Sequence, residues 1–192
     1  RIPKVFDVLE VENHAVLLME WIQPGPQPSD FWSQFGKNLA EMHQISSETF
    51  GLNHSNYMGS LPQRNDHHAT WIEFFIQERI MPQIQLGIEN GYLNSTDEAS
   101  FNRMIPRLNE FFENEPPALI HGDLWNGNYM CGKAGRPVLI DPAVTFGHRI
   151  MDIAMTKLFG GFANEMYEAY EEVYPLQKNW REAVNVANLY PL

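Results

Sequence analysis

Three prolines in six residues, Gln23-Pro-Gly-Pro-Gln-Pro28, divide the chain into two differently patterned parts. Each proline lacks a backbone N–H and fixes φ, so no helix or strand ladder can run through this stretch. Before it, Lys4–Glu10 and Asn13–Glu20 are β-branched, apolar runs joined by a short polar turn, the pattern of an antiparallel hairpin. After it, helical spacing takes over. Ser29 or Asp30 can cap a helix running to about His43, with Phe31, Phe35, Leu39 and Met42 on one face.

Gly51–His68 reads as a polar loop. From Thr70 a second helix gathers Trp71, Phe74, Phe75 and Ile80 on a broad apolar face. Ser95-Thr-Asp-Glu98 has the form of a capping box, followed by Phe101, Ile105, Leu108 and Phe112 at helical spacing, with Pro106 expected to bend the helix. Past Pro116-Pro117 the texture changes. Ala118–Ile120 is a short strand, His121–Gly127 a polar loop and Asn128–Cys131 another strand, and Gly132–Arg136 turns into Pro137–Asp141. Ile150–Phe159, Ala163–Tyr174 and Asn179–Asn188 close the chain as helices. A hairpin, helices, a small sheet with polar loops and more helices make an α+β protein, not a doubly wound sheet.

Composition narrows the function classes. The 192 residues hold only 13 Gly and 13 Pro, too few for a low-complexity or collagen-like chain. The longest apolar runs, such as Ala15–Met19, stop far short of the ~18 residues that a membrane span needs. A net charge of −11 with no basic block argues against nucleic acid or an anionic membrane as partner, since both require Lys and Arg to replace counterions. Cys131 is the sole cysteine and cannot form an internal disulfide, so a reducing compartment, the cytoplasm, is expected.

The chemistry concentrates in His121-Gly-Asp-Leu-Trp-Asn-Gly-Asn128, followed by Leu139-Ile-Asp141. The octet matches the kinase catalytic-loop pattern H-x-D-L-x-x-x-N. An Asp in such a loop, here Asp123, can take the proton of a hydroxyl nucleophile. Asn128, at the start of the next strand, offers a neutral oxygen to Mg²⁺, and Asp141 a carboxylate from the end of the strand after it. Oxygen ligands of this kind suit a hard cation that also bridges phosphates.

Together with Asn56-Tyr-Met-Gly-Ser-Leu-Pro-Gln63, Gly147-His-Arg149, Asp152 and Leu158-Phe-Gly-Gly-Phe162, these segments resemble the fructosamine kinase (ketosamine 3-kinase) family, within the aminoglycoside-phosphotransferase and protein-kinase-like fold. The resemblance implies ATP- and Mg²⁺-dependent phosphorylation of the sugar 3-hydroxyl of ketoamines, free or carried on proteins. By position it makes Asp123 the base and Asn128 and Asp141 the metal ligands. It makes Met19-Glu-Trp-Ile22 the interlobe hinge, so that Glu20, Trp21 and Ile22 meet the adenine. Trp125 then lies beside the substrate, His121 braces the loop through hydrogen bonds, and Asp152 braces it from the following helix. Residues 1–22 are expected to be a remnant of the N-lobe sheet with the hinge, and residues 23–192 a kinase-like C-lobe without its C-terminal end. With the N-lobe largely absent, the chain is expected to be inactive alone. The alternatives are another small-molecule kinase of the aminoglycoside and choline kinase group, or a non-catalytic kinase-like binding module.

Several other features carry less. Gly127–Ala134 nearly spells a phosphate-binding loop, but Ala134 lacks the metal-binding hydroxyl and no helix follows. His67 and His68 are adjacent, so they point in different directions and make a poor metal pair. His43 reads as a packed or capping residue, His148 and Arg149 as structural, and Cys131 as a small buried hydrophobe.

Overall fold

A computed structural model describes residues 1–12 and 14–192; Asn13, the first residue of the expected run Asn13–Glu20, lies outside the described residues. Strands β1 (Val5–Val11) and β2 (His14–Met19) pair antiparallel in the register Val8↔Leu17, with an irregularity between Val5 and Asp7. Every residue of both strands is exposed, so this hairpin stands away from the core. The proline-rich linker runs irregularly to α1 (Phe31–His43). Asp30 occupies the cap position but makes no capping bond, because its carboxylate takes the Gln34 side chain instead.

The segment read as a polar loop contains a small hairpin, β3 (Asn56–Met58) with β4 (Leu61–Gln63). Its strands are too short and too polar to show a period of two.

One continuous rod follows, as α2 (Trp71–Phe74), a π-helical stretch at Phe75–Ile80 and α3 (Met81–Glu89). Thr70 caps it by accepting the Glu73 N–H. Pro82 explains the irregularity. In a regular helix its ring would strike the carbonyl four residues back and leave that oxygen unpaired. That oxygen belongs to Glu78, and the Arg79 guanidinium donates to it at 3.0 Å. Trp71, Phe74, Phe75 and Ile80 are all buried along the rod.

Helix α4 (Ser95–Met104) starts one residue earlier than the sequence suggests. Asn94, not Ser95, is the cap. Its backbone is extended, its side chain accepts from Thr96 N and Asp97 N, and Asp97 bonds back to the Asn94 N–H. Ahead of Pro106 the helix tightens into a 3₁₀ stretch, Ile105–Glu110.

The polar loops hang on two strand pairs. Strand β5 (Ala118–Ile120) pairs antiparallel with β8 (Thr145–Gly147), and β6 (Tyr129–Cys131) with β7 (Pro137–Leu139). Asn128 immediately precedes β6, and Asp141 lies two residues beyond the end of β7. Strand β8 escapes a sequence reading because three residues acquire strand character only by pairing with β5. Helices α5 (Ile150–Leu158), α6 (Asn164–Val173) and α7 (Trp180–Ala187) finish the chain.

The core is built by α1 against α6 and α5 against α7, with Phe31, Phe35, Leu39, Ile153, Met166 and Tyr170 buried between them. Each such side chain contributes roughly 1.5–3 kcal/mol. An aromatic cluster of Phe31, Trp32, Phe35, Tyr129 and Phe162 joins α1 to β6, which fixes the strand that begins beside Asn128.

Candidate active site

The loop after β5 is held from behind by one carboxylate. Asp152, in the first turn of α5 and fully buried, accepts the His121 N–H at 2.7 Å and the Gly122 N–H at 2.8 Å on different oxygens. Oδ2 also takes Nε2 of His43 at 3.1 Å. Burial pushes this carboxyl up, but the hydrogen bond and charge of His43, with His121, hold it below the usual carboxylate range.

The loop must bend sharply over this anchor. Gly122 has φ +83°, and a Cβ there would sit 2.1 Å from the Ala143 carbonyl oxygen, so only glycine fits. His121 ties the two halves of the site together. Its Nε2 donates to the Ile140 carbonyl at 2.9 Å, and its Nδ1 accepts the Asp123 N–H at 3.3 Å. Leu124, fully buried, pins the loop to the core.

Asp123 and Asn128 are in direct contact. The Asn128 amide nitrogen donates to Asp123 Oδ2 at 2.9 Å and to the Asp123 carbonyl at 2.8 Å, with a longer approach of 3.4 Å to the Asp141 carbonyl. One amide group therefore gathers both acidic residues. Burial raises the Asp123 carboxyl above its ordinary value; the Asn128 bond and His121 oppose this, and Asp152 and Asp141 reinforce it.

Asp141 is exposed and has φ +50°, a left-handed conformation that is strained for a residue with a side chain. Among the described residues neither its carboxylate nor Oδ1 of Asn128 has a hydrogen-bond partner, and no group of three His, Cys, Asp or Glu side chains gathers as a metal cluster. Two hard oxygens and no further protein ligand fit Mg²⁺, which takes one or two protein ligands and fills its shell with water and phosphate oxygens.

Trp125 is partly exposed, with its ring edge-on to Phe159 at a centroid distance of 6.0 Å. A Cβ on Gly127 would lie 2.4 Å from that indole, so the glycine makes room for it.

The proline-rich linker lies against the opposite end of the β6–β7 hairpin. Gly25 N donates to the Cys131 carbonyl at 3.0 Å, and Lys133 N to the Gln23 carbonyl at 2.7 Å. Strand β6 spans about 10 Å at roughly 3.3 Å per residue, and so bridges the linker and Asn128. Glu20 donates its N–H to the Lys4 carbonyl and pairs its carboxylate with Arg1. Trp21 is highly exposed, while Ile22 is buried. Among the described residues the Glu20 carbonyl and the Ile22 N–H take no hydrogen-bond partner.

Residues to which the sequence assigns no role at this site surround it. His43, read only as packed or capping, is one of the Asp152 partners. Asn56 and Gln63 bond the carbonyls of Val144 and Ala143, in the loop that follows Asp141. The sequence marks them only within a segment that carries the family resemblance, and no local pattern gives their role, because their partners lie 80 or more residues away. Among the other candidates, His67 bonds Thr49 and Asn53, and His68 bonds Glu78. Arg149 makes a two-pronged pair with Glu115 at 2.6 and 2.7 Å, and Cys131 is buried.

Known proteins share these features. The fructosamine kinase family model matches residues 1–192. An Enterococcus faecium protein named "probable ketoamine kinase" is 38% identical over 194 residues, covering 100% of this chain and 69% of its own. One of the same name from Vibrio parahaemolyticus is 38% identical, with coverages of 98% and 65%. The crystal structure of a Thermobifida fusca protein carrying the fructosamine-3-kinase name superposes with a TM-score of 0.87 at 36% identity, over 98% of this chain and 65% of that one. A type VIII aminoglycoside-3'-phosphotransferase, 15% identical, aligns over 98% of this chain and 73% of its own with a TM-score of 0.54, a likeness of fold. The chain thus spans about two thirds of the length of these relatives. No helix among the described residues is long and apolar enough to cross a membrane. With a family model matched from the first residue to the last, this α+β chain of protein-kinase-like fold belongs to the fructosamine kinase family.

Proposed function

We propose that the full-length protein is an ATP- and Mg²⁺-dependent phosphotransferase acting on the sugar 3-hydroxyl of ketoamines, the adducts of sugars with amines of small molecules or proteins. The observation that carries this reading is the contact of Asp123 with Asn128 beside Asp141, two free oxygen ligands next to a partly buried carboxylate. Family membership supplies the acceptor class.

In this reading Asp123 Oδ accepts the proton of the sugar hydroxyl as its oxygen bonds to the γ-phosphorus. The bond from that phosphorus to the β–γ bridging oxygen breaks, and ADP leaves. Bound through Asn128 Oδ1 and the Asp141 carboxylate, Mg²⁺ supplies neutralisation of the phosphate charge. His121 and Asp152 hold the loop, so that positioning provides much of the rate. The Glu20 carbonyl and the Ile22 N–H serve the adenine edge, Trp21 flanks them, and Trp125 lies against the sugar or its linkage. Residues 1–22 then belong to the N-lobe sheet and hinge, residues 23–192 to the C-lobe, and residues 1–192 by themselves are expected to be inactive. The cytoplasm suits a chain whose one cysteine, Cys131, is buried and unpaired.

The test is ADP release by the full-length protein with Mg-ATP and fructosyl- or ribulosyl-lysine. Acceptor-dependent ADP that disappears in Asp123→Asn is the expected result. ADP release only with aminoglycosides or choline would move the assignment to another small-molecule kinase, and none with any hydroxyl acceptor would leave a binding module.

A further inference from the structure

We propose that Gln63 is a positioning residue for the loop that presents Asp141, with the β3–β4 hairpin acting as its latch. This rests on the phosphotransferase reading in so far as Asp141 is taken as a metal ligand. Gln63 is buried, and its amide nitrogen donates to the Ala143 carbonyl at 3.1 Å and to Asn56 Oδ1 at 2.8 Å. Asn56 in turn donates to the Val144 carbonyl at 2.8 Å. Two successive carbonyls of the 141–145 loop are thus held by one hairpin.

The amide of Gln63 cannot turn over, because the Tyr190 hydroxyl donates to its oxygen at 2.9 Å. Tyr190 comes from just beyond α7 and carries the Arg79 guanidinium above its ring at 5.3 Å. Arg79 also fixes Asn65 Oδ1 at 2.7 Å, and Asn65 donates to Asn56 Oδ1 at 3.0 Å. Every polar atom of the Gln63 side chain is therefore committed, and the latch is anchored on a buried cation.

The loop needs such a hold. Asp141 sits in a left-handed conformation, which persists only where the surroundings impose it. Two residues on, the Ala143 carbonyl bonds Gln63 and packs against Gly122 of the catalytic loop. A shift of Ala143 moves both the Asp141 carboxylate and the loop carrying Asp123.

Gln63→Leu keeps the volume and removes all three bonds. In the full-length protein its Mg²⁺ half-saturation is expected to rise roughly 10-fold and kcat to fall roughly 10- to 100-fold, as for lost outer partners of metal ligands. KM for the acceptor at saturating Mg²⁺ should stay within about 2-fold, since none of the three partners, Ala143, Asn56 and Tyr190, hydrogen-bonds Trp125. Without any ligand, hydrogen exchange in residues 143–147 should quicken while α5 and α6 keep their protection.

A lower Tm with unchanged exchange and Mg²⁺ half-saturation would overturn the proposal and leave Gln63 merely structural. If Gln63→Leu does not fold, Tyr190→Phe carries the same readouts in the same direction, and normal exchange with normal Mg²⁺ response there overturns it equally. Asp141→Ala separates the two readings. Unimpaired Mg-nucleotide binding in that variant counts against Asp141 as a metal ligand, whereas exchange in the unliganded Gln63→Leu protein still decides the latch.

Discussion

His43 and Asp152 meet across 109 residues of sequence, imidazole Nε2 to carboxylate Oδ2 at 3.1 Å, with both side chains fully buried. The line continues on both sides. The Tyr170 hydroxyl donates to His43 Nδ1 at 2.8 Å and accepts from Arg149 at 3.4 Å, while Asp152 accepts the two N–H groups at the start of the loop that carries Asp123. The end of α1 and the face of α6 are thereby wired to the loop through one carboxylate.

Breaking this pair should cost stability and loop order together. Asp152→Asn turns an acceptor of three donors into a group that presents N–H to at least one of them, a loss of about 3–5 kcal/mol. A cycle with His43→Ala should return a coupling of about 1–3 kcal/mol in urea denaturation. Additive effects within about 0.3 kcal/mol would mean that the two side chains are energetically independent.

Asp123→Asn removes the proposed proton acceptor but keeps an oxygen for Asn128. Turnover should fall about 10²- to 10⁴-fold with ATP affinity nearly unchanged. Steady-state kinetics beside calorimetric nucleotide titration measures both, and undiminished turnover would remove Asp123 as the base.

Trp125→Ala should raise the acceptor KM selectively, because the indole is partly exposed and meets Phe159 edge-on. Initial rates at varied ketoamine and fixed saturating ATP test this. A change confined to the ATP KM would place the indole at the nucleotide instead.

Acid should destabilise the fold through His148. Burial lowers its pKa from 6.5 to about 4, with Glu115 and the Glu113 carbonyl opposing and Arg149 and His43 reinforcing the shift. The ring is held neutral, since Nε2 donates to the Glu113 carbonyl and Nδ1 accepts the Ile150 N–H. The unfolded chain takes up this proton near pH 6.5 and the folded one only near 4. Stability is therefore full above about 6.5 and declines as pH falls toward 4, by on the order of 3 kcal/mol. The depressed carboxyls of Asp152 and Glu115 lose their contributions at still lower pH, with the same sign. His148→Gln can keep both hydrogen bonds without titrating, so its denaturation midpoint should vary less between pH 4 and 6.5. An equally steep profile would mean that another group supplies the slope.

Much of the architecture is legible in the chain because it is written locally. Three prolines separate hairpin from helix, Phe31, Phe35 and Leu39 recur at helical spacing, and His121–Asn128 carries the spacing of a catalytic loop within eight residues. The readings that needed correction depend on a competing partner. Asn94 outbids Ser95 as a cap by accepting two N–H groups, and the Glu78 carbonyl freed by Pro82 is satisfied by Arg79 within a π-helical stretch.

Sequence alone marked which residues are candidates for chemistry here, because the functional groups of Asp123, Asn128 and Asp141 and their spacing are set by the chain, while their proton affinities are set by what surrounds them. Tertiary structure decided what holds them. His43 and Asp152, Gln63 and Ala143, Asn56 and Val144 each come from segments tens of residues apart. Long-range side-chain bonds of this kind leave no period or spacing in the chain, and exist only once helices and hairpins have packed around a common core.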